Sequence, residues 1–157
     1  MADTVHADPL ALAARGRELS GMEYVRAIFS GELPSPPIAT LMGFRGAEAE
    51  PGRAVFEMEP GPQHYNPIGS VHGGVALTLL DSAMGCAIHT LLEQGVSYTT
   101  LEVKTNFVRP ILADTGVIRC EGVVIHRGSR IATAEGKLTD ATGKLLAHGT
   151  TTCLIFR

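Results

Sequence analysis

The densest cluster of residues suited to chemistry is the stretch 66–75, which reads Asn-Pro-Ile-Gly-Ser-Val-His-Gly-Gly-Val. Its adjacent glycines, Gly73 and Gly74, lead directly into an apolar stretch that predicts a helix. The first N–H groups of a helix lack intrahelical partners and lie at the positive end of its dipole, and glycines leave them unshielded. They could therefore bind a carbonyl oxygen or an oxyanion. The alternative is a tight loop that needs two glycines for positive φ angles.

Asp81 is the second candidate, because it lies inside the apolar stretch that follows the glycines. A carboxylate among apolar side chains costs several kcal/mol unless it is solvated, hydrogen-bonded or neutralised. At a cleft it could serve as a general base or as a nucleophile. The alternative is a solvent-facing aspartate at the edge of a polar stripe. That stripe, at spacings of three and four residues, consists of Thr78, Asp81, Ser82, Gly85 and His89.

Other motifs for catalysis or cofactor binding are missing from the sequence. It contains no G-x-S-x-G nucleophile elbow, no G-x-G-x-x-G dinucleotide fingerprint and no G-x-x-x-x-G-K phosphate loop. The spacing of His64, His72 and Asp81 matches no common metal-binding pattern. We therefore expect neither a metal ion nor a cofactor.

Residues 73–93 predict a long buried helix. Apolar side chains cover nearly its whole circumference, as in helices of a protein core or a membrane. Asp81 and His89 within the stretch, and the lack of Lys or Arg at either end, argue against a membrane span. Nearer the N-terminus, the capping box formed by Ser20 and Glu23 predicts a short helix.

Strands are predicted on both sides of the long helix. Residues 44–50 and 53–59 flank Pro51-Gly52, a dipeptide suited to a type II turn, and predict a hairpin. After the long helix the period changes to two. The extended stretches predicted there are 100–107, 115–126, 130–139 and 144–156.

The strand over 100–107 alternates most clearly, with Leu101, Val103 and Phe107 on one face and Thr100 on the other. Loops of hairpin length join the later strands, so the sheet is expected to be antiparallel. Because a single apolar helix needs apolar cover on most sides, the sheet should curl around it. The predicted fold class is therefore α+β.

The composition fits one globular domain in a reducing compartment. The chain has 157 residues, 45% of them hydrophobic and 18% charged, with a net charge of -3. These values allow a core and exclude the broad basic surface that nucleic acid requires. Three widely spaced cysteines fit no disulfide framework or zinc knuckle, and Asp3 does not fit a signal peptide. We expect a cytoplasmic protein with a flexible arm over 1–19 and a single domain over 20–157.

The motifs together resemble a known family. The elements N-P-x-x-x-x-H-G-G-V at 66–75, L-x-D-x-A at 79–83 and Y-T-T-L-E-V-K-T-N-F-V-R-P at 98–110 are similar in joint spacing to hotdog-fold acyl-CoA thioesterases. The similarity is greatest to the group typified by the phenylacetic-acid-degradation thioesterases and spans about residues 38–156. It implies a helix wrapped by a curved antiparallel sheet and the hydrolysis of an acyl-CoA substrate.

The resemblance also implies a role for individual residues. His72-Gly73 would supply the oxyanion-binding amide and Asp81 the catalytic carboxylate. Asn66 would be a partner for water or the carboxylate, and Thr100 would supply a hydroxyl. Contacts with coenzyme A would come from Gly74, Arg127, Gly128, Ser129 and Arg130, although two solvated hairpin arginines are the alternative for this turn.

The spacing of Gly73 and Asp81 predicts that two chains share each site. The two residues are eight positions apart, which is ~12 Å along a helix at ~1.5 Å per residue. One thioester carbon cannot lie within ~3 Å of both. A twofold dimer that places Gly73 of one chain beside Asp81 of its mate would create two equivalent sites. We expect a homodimer or a dimer of dimers.

The acyl group is predicted from the long helix alone. No Arg or Lys on that helix could pair with a charged acyl end, and Gly85 should leave space one turn beyond Asp81. These features favour neutral medium-chain or aryl-acetyl groups over dicarboxylic ones.

Two other functions remain as alternatives. Hotdog enoyl-CoA hydratases resemble D-x-N-P-x-H, which puts His64 and Gly69 at their catalytic positions and leaves both catalytic residues missing. A non-catalytic acyl-CoA sensor or carrier would not need Asp81, and the sequence shows no DNA-binding extension.

Overall fold

The computed structural model describes residues 7–157, within which four α-helices and six strands form. The helices are α1 (Pro9–Arg17), α2 (Gly21–Ser30), α3 (Pro37–Met42) and α4 (Gly73–His89), with a 3-10 turn at Pro62–His64. The strands are β1 (Phe44–Glu50), β2 (Arg53–Met58), β3 (Ser97–Phe107), β4 (Ile118–Arg127), β5 (Ile131–Thr139) and β6 (Leu145–Phe156). This order confirms the predicted α+β class.

The six strands form one antiparallel sheet in the order β1-β2-β4-β5-β6-β3, and it curves around α4. Gly122 of β4 lies directly beneath the helix, because a Cβ at this position would be 2.4 Å from the backbone carbonyl of Ala83. Only glycine allows so close an approach. The predicted hotdog architecture is thereby confirmed.

Burial of α4 confirms the predicted core helix. Aliphatic side chains of this size each contribute roughly 1.5–3 kcal/mol when fully buried, so α4 supplies a large part of the hydrophobic stabilisation. The residues of α4 that are at most 1% exposed are Ala76, Leu79, Leu80, Ala83, Met84, Ala87 and Ile88. The partly accessible side contains Gly74, Thr78, Asp81, Ser82, Cys86 and His89.

The predicted capping box starts α2 as expected. The Ser20 hydroxyl accepts the Glu23 N–H, and the Glu23 carboxylate accepts the Ser20 N–H at 2.8 Å. Gly31 ends the helix with φ 81°. The helix lies on β1, where a Cβ at Gly46 would be 2.1 Å from Phe29. This contact places α2 as a cover over the accessible side of α4.

The predicted N-terminal arm is helical where the structure describes it. Asp8 caps α1, Leu12 is buried, and the Tyr24 hydroxyl donates to the Leu12 carbonyl at 3.2 Å. Residues 1–6 of the predicted arm lie outside the described residues. The domain boundary at residue 20 stays a prediction.

A β-bulge corrects the predicted register of β3. The pairing with β6 shifts between Thr100 and Glu102, and Leu101 at the bulge is 56% exposed rather than facing the core with Val103. A bulge inserts one residue and thereby inverts the alternation that follows it. Thr100 consequently shares the helix-facing side with Val103.

Candidate active site

Asp81 and Thr100 form the centre of the site. The Thr100 hydroxyl donates a hydrogen bond to Oδ1 of Asp81 at 2.9 Å. Asp81 comes from the accessible side of α4, and Thr100 reaches it because the bulge in β3 turns its side chain toward the helix. The contact holds the carboxylate in one orientation and leaves Oδ2 available for other chemistry. These are the two predicted catalytic side chains that the chain brings together.

A cavity of about 790 Å³ opens at this pair. Its floor is the stripe of α4 that includes Asp81, Cys86 and His89, and its cover is formed by α2, α3 and parts of β1 and β2. The apolar cover consists of Val25, Ile28, Phe29, Ile38, Ala39, Phe44 and Phe56. This size and this lining suit a substrate with an apolar group that lies against the carboxylate.

Three ionisable neighbours of Asp81 in the cavity, Cys86, His89 and Tyr98, are neutral at neutral pH. Burial lowers the pKa of His89 to about 4 and raises the pKa of Cys86 to about 12, with a smaller contribution to Cys86 from the charge of Asp81. Burial also raises the pKa of Tyr98 well above 10. Neither a thiolate of Cys86 nor an imidazolium of His89 is therefore present in this part of the cavity at neutral pH.

Charged residues at the outer part of the cavity are paired with one another. Arg45 contacts Glu57 at 3.1 Å, and Arg119 contacts Glu57 at 2.9 Å and also Glu48. The hydrogen bond from Arg119 lowers the pKa of Glu48. Because both arginines are paired with glutamates, neither is free to bind a carboxylate ligand.

The loop before α4 is held by its own side chains. Oδ1 of Asn66 accepts the Ile68 N–H at 3.0 Å and the Ser70 N–H at 3.3 Å, and its amide donates to the Ser70 hydroxyl. His72 is exposed and caps α4, because its Nδ1 accepts the Gly74 N–H at 2.8 Å. In a single chain, Asn66 and His72 thus organise the loop and do not contact Asp81.

Gly73 is the amide left available at the start of α4. Within residues 7–157, its N–H has no hydrogen-bond acceptor, whereas the N–H of Gly74 is occupied by His72. A Cβ at Gly73 would be 3.0 Å from the ring of Phe107, so a larger residue would displace that ring. Gly73 does not line the cavity that contains Asp81. Within one chain, Gly73 and Asp81 are therefore far apart, as their spacing on the helix requires.

The predicted coenzyme A turn lies apart from Asp81, beside a smaller cavity of about 300 Å³. Arg127, Ser129 and Arg130 line it, and Gly128 closes the turn through its N–H to the Ile131 carbonyl at 2.8 Å. Within the described range, neither arginine of the turn takes part in an ion pair. The two guanidinium groups are thus available to an anion.

The space expected beside Gly85 is filled. A Cβ at Gly85 would be 2.8 Å from the Tyr98 hydroxyl, so the tyrosine ring occupies that position and Gly85 is buried. The prediction that Gly85 makes room for the acyl group is wrong, because the sheet returns an aromatic residue to this point. Sequence reasoning also missed Tyr98 and Cys86 as lining residues, although Cys86 lies four residues beyond Ser82 on the same stripe.

His64 has a structural role. Its Nδ1 accepts the Gly61 N–H at 2.9 Å, and its Nε2 lies 3.0 Å from the Met42 carbonyl. No cluster of three or more His, Cys, Asp or Glu side chains arranged for a metal occurs within residues 7–157. None of the helices in that range has the length and hydropathy to cross a membrane.

Comparison with known proteins places the chain in a family. The model of the thioesterase superfamily matches residues 68–147, which include α4 and most of the sheet. Human acyl-coenzyme A thioesterase 13 is 33% identical over 103 residues, which are 64% of this chain and 71% of that protein. The 1,4-dihydroxy-2-naphthoyl-CoA hydrolase of Listeria monocytogenes is 30% identical over 105 residues, 67% of this chain and 84% of the relative.

A solved structure agrees with these sequence matches. A phenylacetic acid degradation-related protein from Ralstonia eutropha JMP134 superposes with a TM-score of 0.75 and 29% identity, covering 83% of this chain and 98% of that chain. The match covers most of both chains, so fold and sequence point to the same family. The chain belongs to the thioesterase superfamily and is a thioester hydrolase with the hotdog fold.

Proposed function

We propose that the protein hydrolyses acyl-CoA thioesters to a free acid and coenzyme A, with Asp81 as the catalytic carboxylate. The observation that carries this proposal is the Asp81 carboxylate, oriented by Thr100 at 2.9 Å, at the floor of a large cavity with an apolar cover. The human and Listeria relatives are named as enzymes acting on CoA thioesters, which supports the same substrate class.

The site is proposed to form between two chains. The Gly73 N–H of one chain would polarise the thioester carbonyl and stabilise the oxyanion that develops on it. Asp81 of the other chain would either remove a proton from the attacking water or attack the carbonyl carbon to give an anhydride, which water then hydrolyses. In both routes the C–S bond breaks and the coenzyme A thiol leaves.

Surface features near Gly73 support a twofold dimer. One edge of β3 pairs with β6, and the other edge pairs with no strand of residues 7–157. Long unprotected edges are rare in monomers, because they pair with other chains. Exposed apolar side chains at this edge and around the start of α4 are Ile68, Leu77, Leu101 and Phe107. Pairing of two copies there would bring each Gly73 toward the partner chain.

Contacts with coenzyme A are proposed for the start of α4 and for the turn between β4 and β5. The helix N-terminus at His72-Gly74 suits a phosphate or carbonyl oxygen, and Asn66 holds the loop that presents it. Arg127 and Arg130 present forked donors that fit phosphate oxygens. Ser129 lines the same small cavity as these arginines.

The acyl group is proposed to be neutral, either medium-chain or aryl-acetyl. Support comes from the apolar cover of the cavity and from the pairing of Arg45 and Arg119 with glutamates. Among residues 7–157, this pairing leaves no unpaired arginine or lysine in the cavity lining for a second carboxylate. A dicarboxylic acyl group would therefore lose its hydration without gaining a partner.

The structure gives the hydratase alternative no support. The residue at the position of the hydratase aspartate is His64, whose ring is held by Gly61 and Met42. The residue at the position of the hydratase histidine is Gly69, which has no ionisable side chain and sits in a turn with φ 87°.

The decisive experiment measures thiol release from a panel of acyl-CoA substrates with a colorimetric thiol reagent. We expect kcat/KM for hexanoyl-CoA and phenylacetyl-CoA to exceed that for succinyl-CoA. Substrate binding without thiol release would overturn the proposal and support a non-catalytic acyl-CoA sensor or carrier. Succinyl-CoA as the best substrate would leave hydrolysis intact and refute the neutral acyl group. An unchanged KM in an Arg127→Ala/Arg130→Ala variant would refute the phosphate contacts.

A further inference from the structure

The cavity at Asp81 ends at a group of three aromatic rings. It follows α4 from Asp81 to His89, which is ~12 Å along the helix axis. At that end, His89 stands between Tyr24 of α2 and Tyr98 of β3, with ring centroids 5.5 Å and 5.3 Å apart. We call these three residues the aromatic wall.

A second cavity of about 220 Å³ lies on the other side of the aromatic wall. Tyr24, His89 and Tyr98 line both cavities, and they are the residues common to the two linings. The far side of the second cavity is formed by α1, including Ala13. The aromatic wall is therefore one layer of side chains thick, and it separates the cavity at Asp81 from the second cavity.

The backbone around the wall fixes its position. Gly21, at the start of α2, donates its N–H to the Leu92 carbonyl at 3.0 Å, and a Cβ there would be 1.8 Å from the His89 carbonyl. This contact sets Tyr24, three residues later, beside the end of α4. The Tyr24 hydroxyl is in turn held by the Leu12 carbonyl at 3.2 Å. The rings are thus part of the packed frame and not a flexible surface.

We propose that the aromatic wall sets the maximum length of the acyl group, with His89 as the specificity-determining residue between the substrate cavity and the second cavity. This inference rests on the proposed function, because it takes the cavity at Asp81 as the acyl site. A chain that starts at the carboxylate and extends along α4 meets the His89 side chain. Removal of that ring would join the two cavities and admit a longer chain.

The state of His89 favours this role. Burial lowers its pKa to about 4, so the ring is uncharged at neutral pH and presents an apolar face to an alkyl or aryl end. Within residues 7–157, its ring nitrogens form no hydrogen bond, so the side chain packs without serving a polar network.

The test compares acyl-CoA chain lengths in wild-type protein and in His89→Ala. We expect the ratio of kcat/KM for dodecanoyl-CoA to that for hexanoyl-CoA to rise at least about tenfold, since each added methylene in a fitting pocket is worth about tenfold or more. Filling the second cavity by Ala13→Phe in the His89→Ala background should reverse the gain. Ala13→Phe alone should leave the wild-type ratio unchanged.

Two further variants separate the wall from general loosening of the pocket. Cys86→Ala deepens the floor of the cavity between Asp81 and His89 without opening its end, so it should leave the chain-length ratio unchanged. Tyr24→Ala opens the wall from α2 and should raise the ratio even if His89→Ala folds poorly. A rise of equal size in Cys86→Ala would overturn the role of the wall.

A binding measurement makes the outcome independent of turnover. Calorimetric Kd values for hexanoate and dodecanoate should show dodecanoate binding about tenfold more tightly to His89→Ala than to wild type. If the wild type releases no thiol but this shift occurs, the proposed function fails and the wall stands. If thiol is released and neither the kinetic ratio nor the binding changes in His89→Ala or Tyr24→Ala, the wall is wrong.

Discussion

At the scale of single residues, the proposed mechanism depends on the orientation of the Asp81 carboxylate. The Thr100 hydroxyl binds one oxygen of Asp81 at 2.9 Å, and the α4 backbone fixes the other end of the side chain. His89, with a pKa of about 4, is a weak base, and Cys86, with a pKa of about 12, stays a thiol at neutral pH. The proposed mechanism therefore assigns the chemistry to the Asp81 carboxylate.

Asp81→Asn should lower kcat by at least ~100-fold with a small change in KM, because the amide can neither accept a proton nor attack a carbonyl. Steady-state thiol release measures both parameters. The substitution is nearly isosteric, so unfolding in urea should give a free energy of unfolding within about 1 kcal/mol of the wild-type value. Turnover at the wild-type rate would exclude Asp81 from the chemistry.

Thr100→Val should lower kcat by about tenfold or more and leave KM nearly unchanged, because the carboxylate loses its orienting donor. The matched control is Thr100→Ser, which keeps the hydroxyl and should restore most of the activity. Equal losses in both variants would indicate that the threonine methyl group, and not the hydrogen bond, is what the site requires.

His89 should make stability depend on pH below neutrality. Its pKa falls from the usual 6.5 to about 4 on folding, so between these values the unfolded chain binds the additional proton. The free energy of unfolding should consequently fall as pH is lowered from 6.5 toward 4, by roughly 3 kcal/mol for this group. Urea titrations at several pH values give the free energy of unfolding as a function of pH. Its slope over that window should be steeper for wild type than for His89→Asn. Parallel slopes would show that His89 is protonated as readily in the folded protein as in the unfolded chain.

At the scale of secondary structure, glycines decide how closely the elements approach. Gly122 places β4 against the backbone of α4, and Gly46 places β1 against α2. Both contacts position the site, since α4 carries Asp81 and α2 covers the cavity. The bulge in β3 makes a comparable contribution by aiming Thr100 at the helix.

Gly122→Ala should destabilise the protein by about 3 kcal/mol or more, because the added methyl group meets backbone atoms that cannot move without displacing α4. Gly136→Ala is the matched control on the adjacent strand. Its methyl group would be 2.9 Å from a Leu80 side-chain carbon, which can rotate aside, so the cost should be smaller. Chemical unfolding of both variants gives the comparison, and a larger loss at Gly136 would contradict this explanation.

At the scale of the whole molecule, the proposed site requires two chains. Gly73 and Asp81 are separated by eight residues of a rigid helix, and the Gly73 N–H has no acceptor within residues 7–157. The second edge of β3 is available for pairing. A dimer in which two copies of the chain meet at this edge of β3 would explain both observations.

Mixed dimers should show this sharing directly. Asp81→Asn and Gly73→Val chains should each be inactive, while their co-expression should restore about a quarter of wild-type activity, because half of the dimers then hold one intact site of two. Thiol release per total protein measures the recovery, and sedimentation velocity should show dimers or larger assemblies. No recovery in confirmed mixed dimers, or activity in a single-chain species, would contradict a shared site.

The sequence by itself determined the features that depend on neighbouring residues. A capping box, a glycine turn and the periods of side-chain burial are local, so α2, the β1–β2 hairpin and the buried α4 were predicted in kind and near their final bounds. The motifs from Asn66 to Thr100 also sufficed to suggest the family. Asp81 was predicted as a candidate because a carboxylate among the apolar side chains of a helix is energetically costly unless it is solvated, hydrogen-bonded or neutralised.

Only the tertiary structure decided how distant residues meet. The bulge at Leu101 depends on pairing with β6, and it reversed the face predicted for Thr100. Tyr98 fills the position expected to be open beside Gly85, because the sheet brings it back across the helix. Local periodicity specifies which face of an element is apolar, whereas the neighbour on that face comes from another part of the chain. For this reason the dimensions of the cavity, and the wall at its end, followed from packing alone.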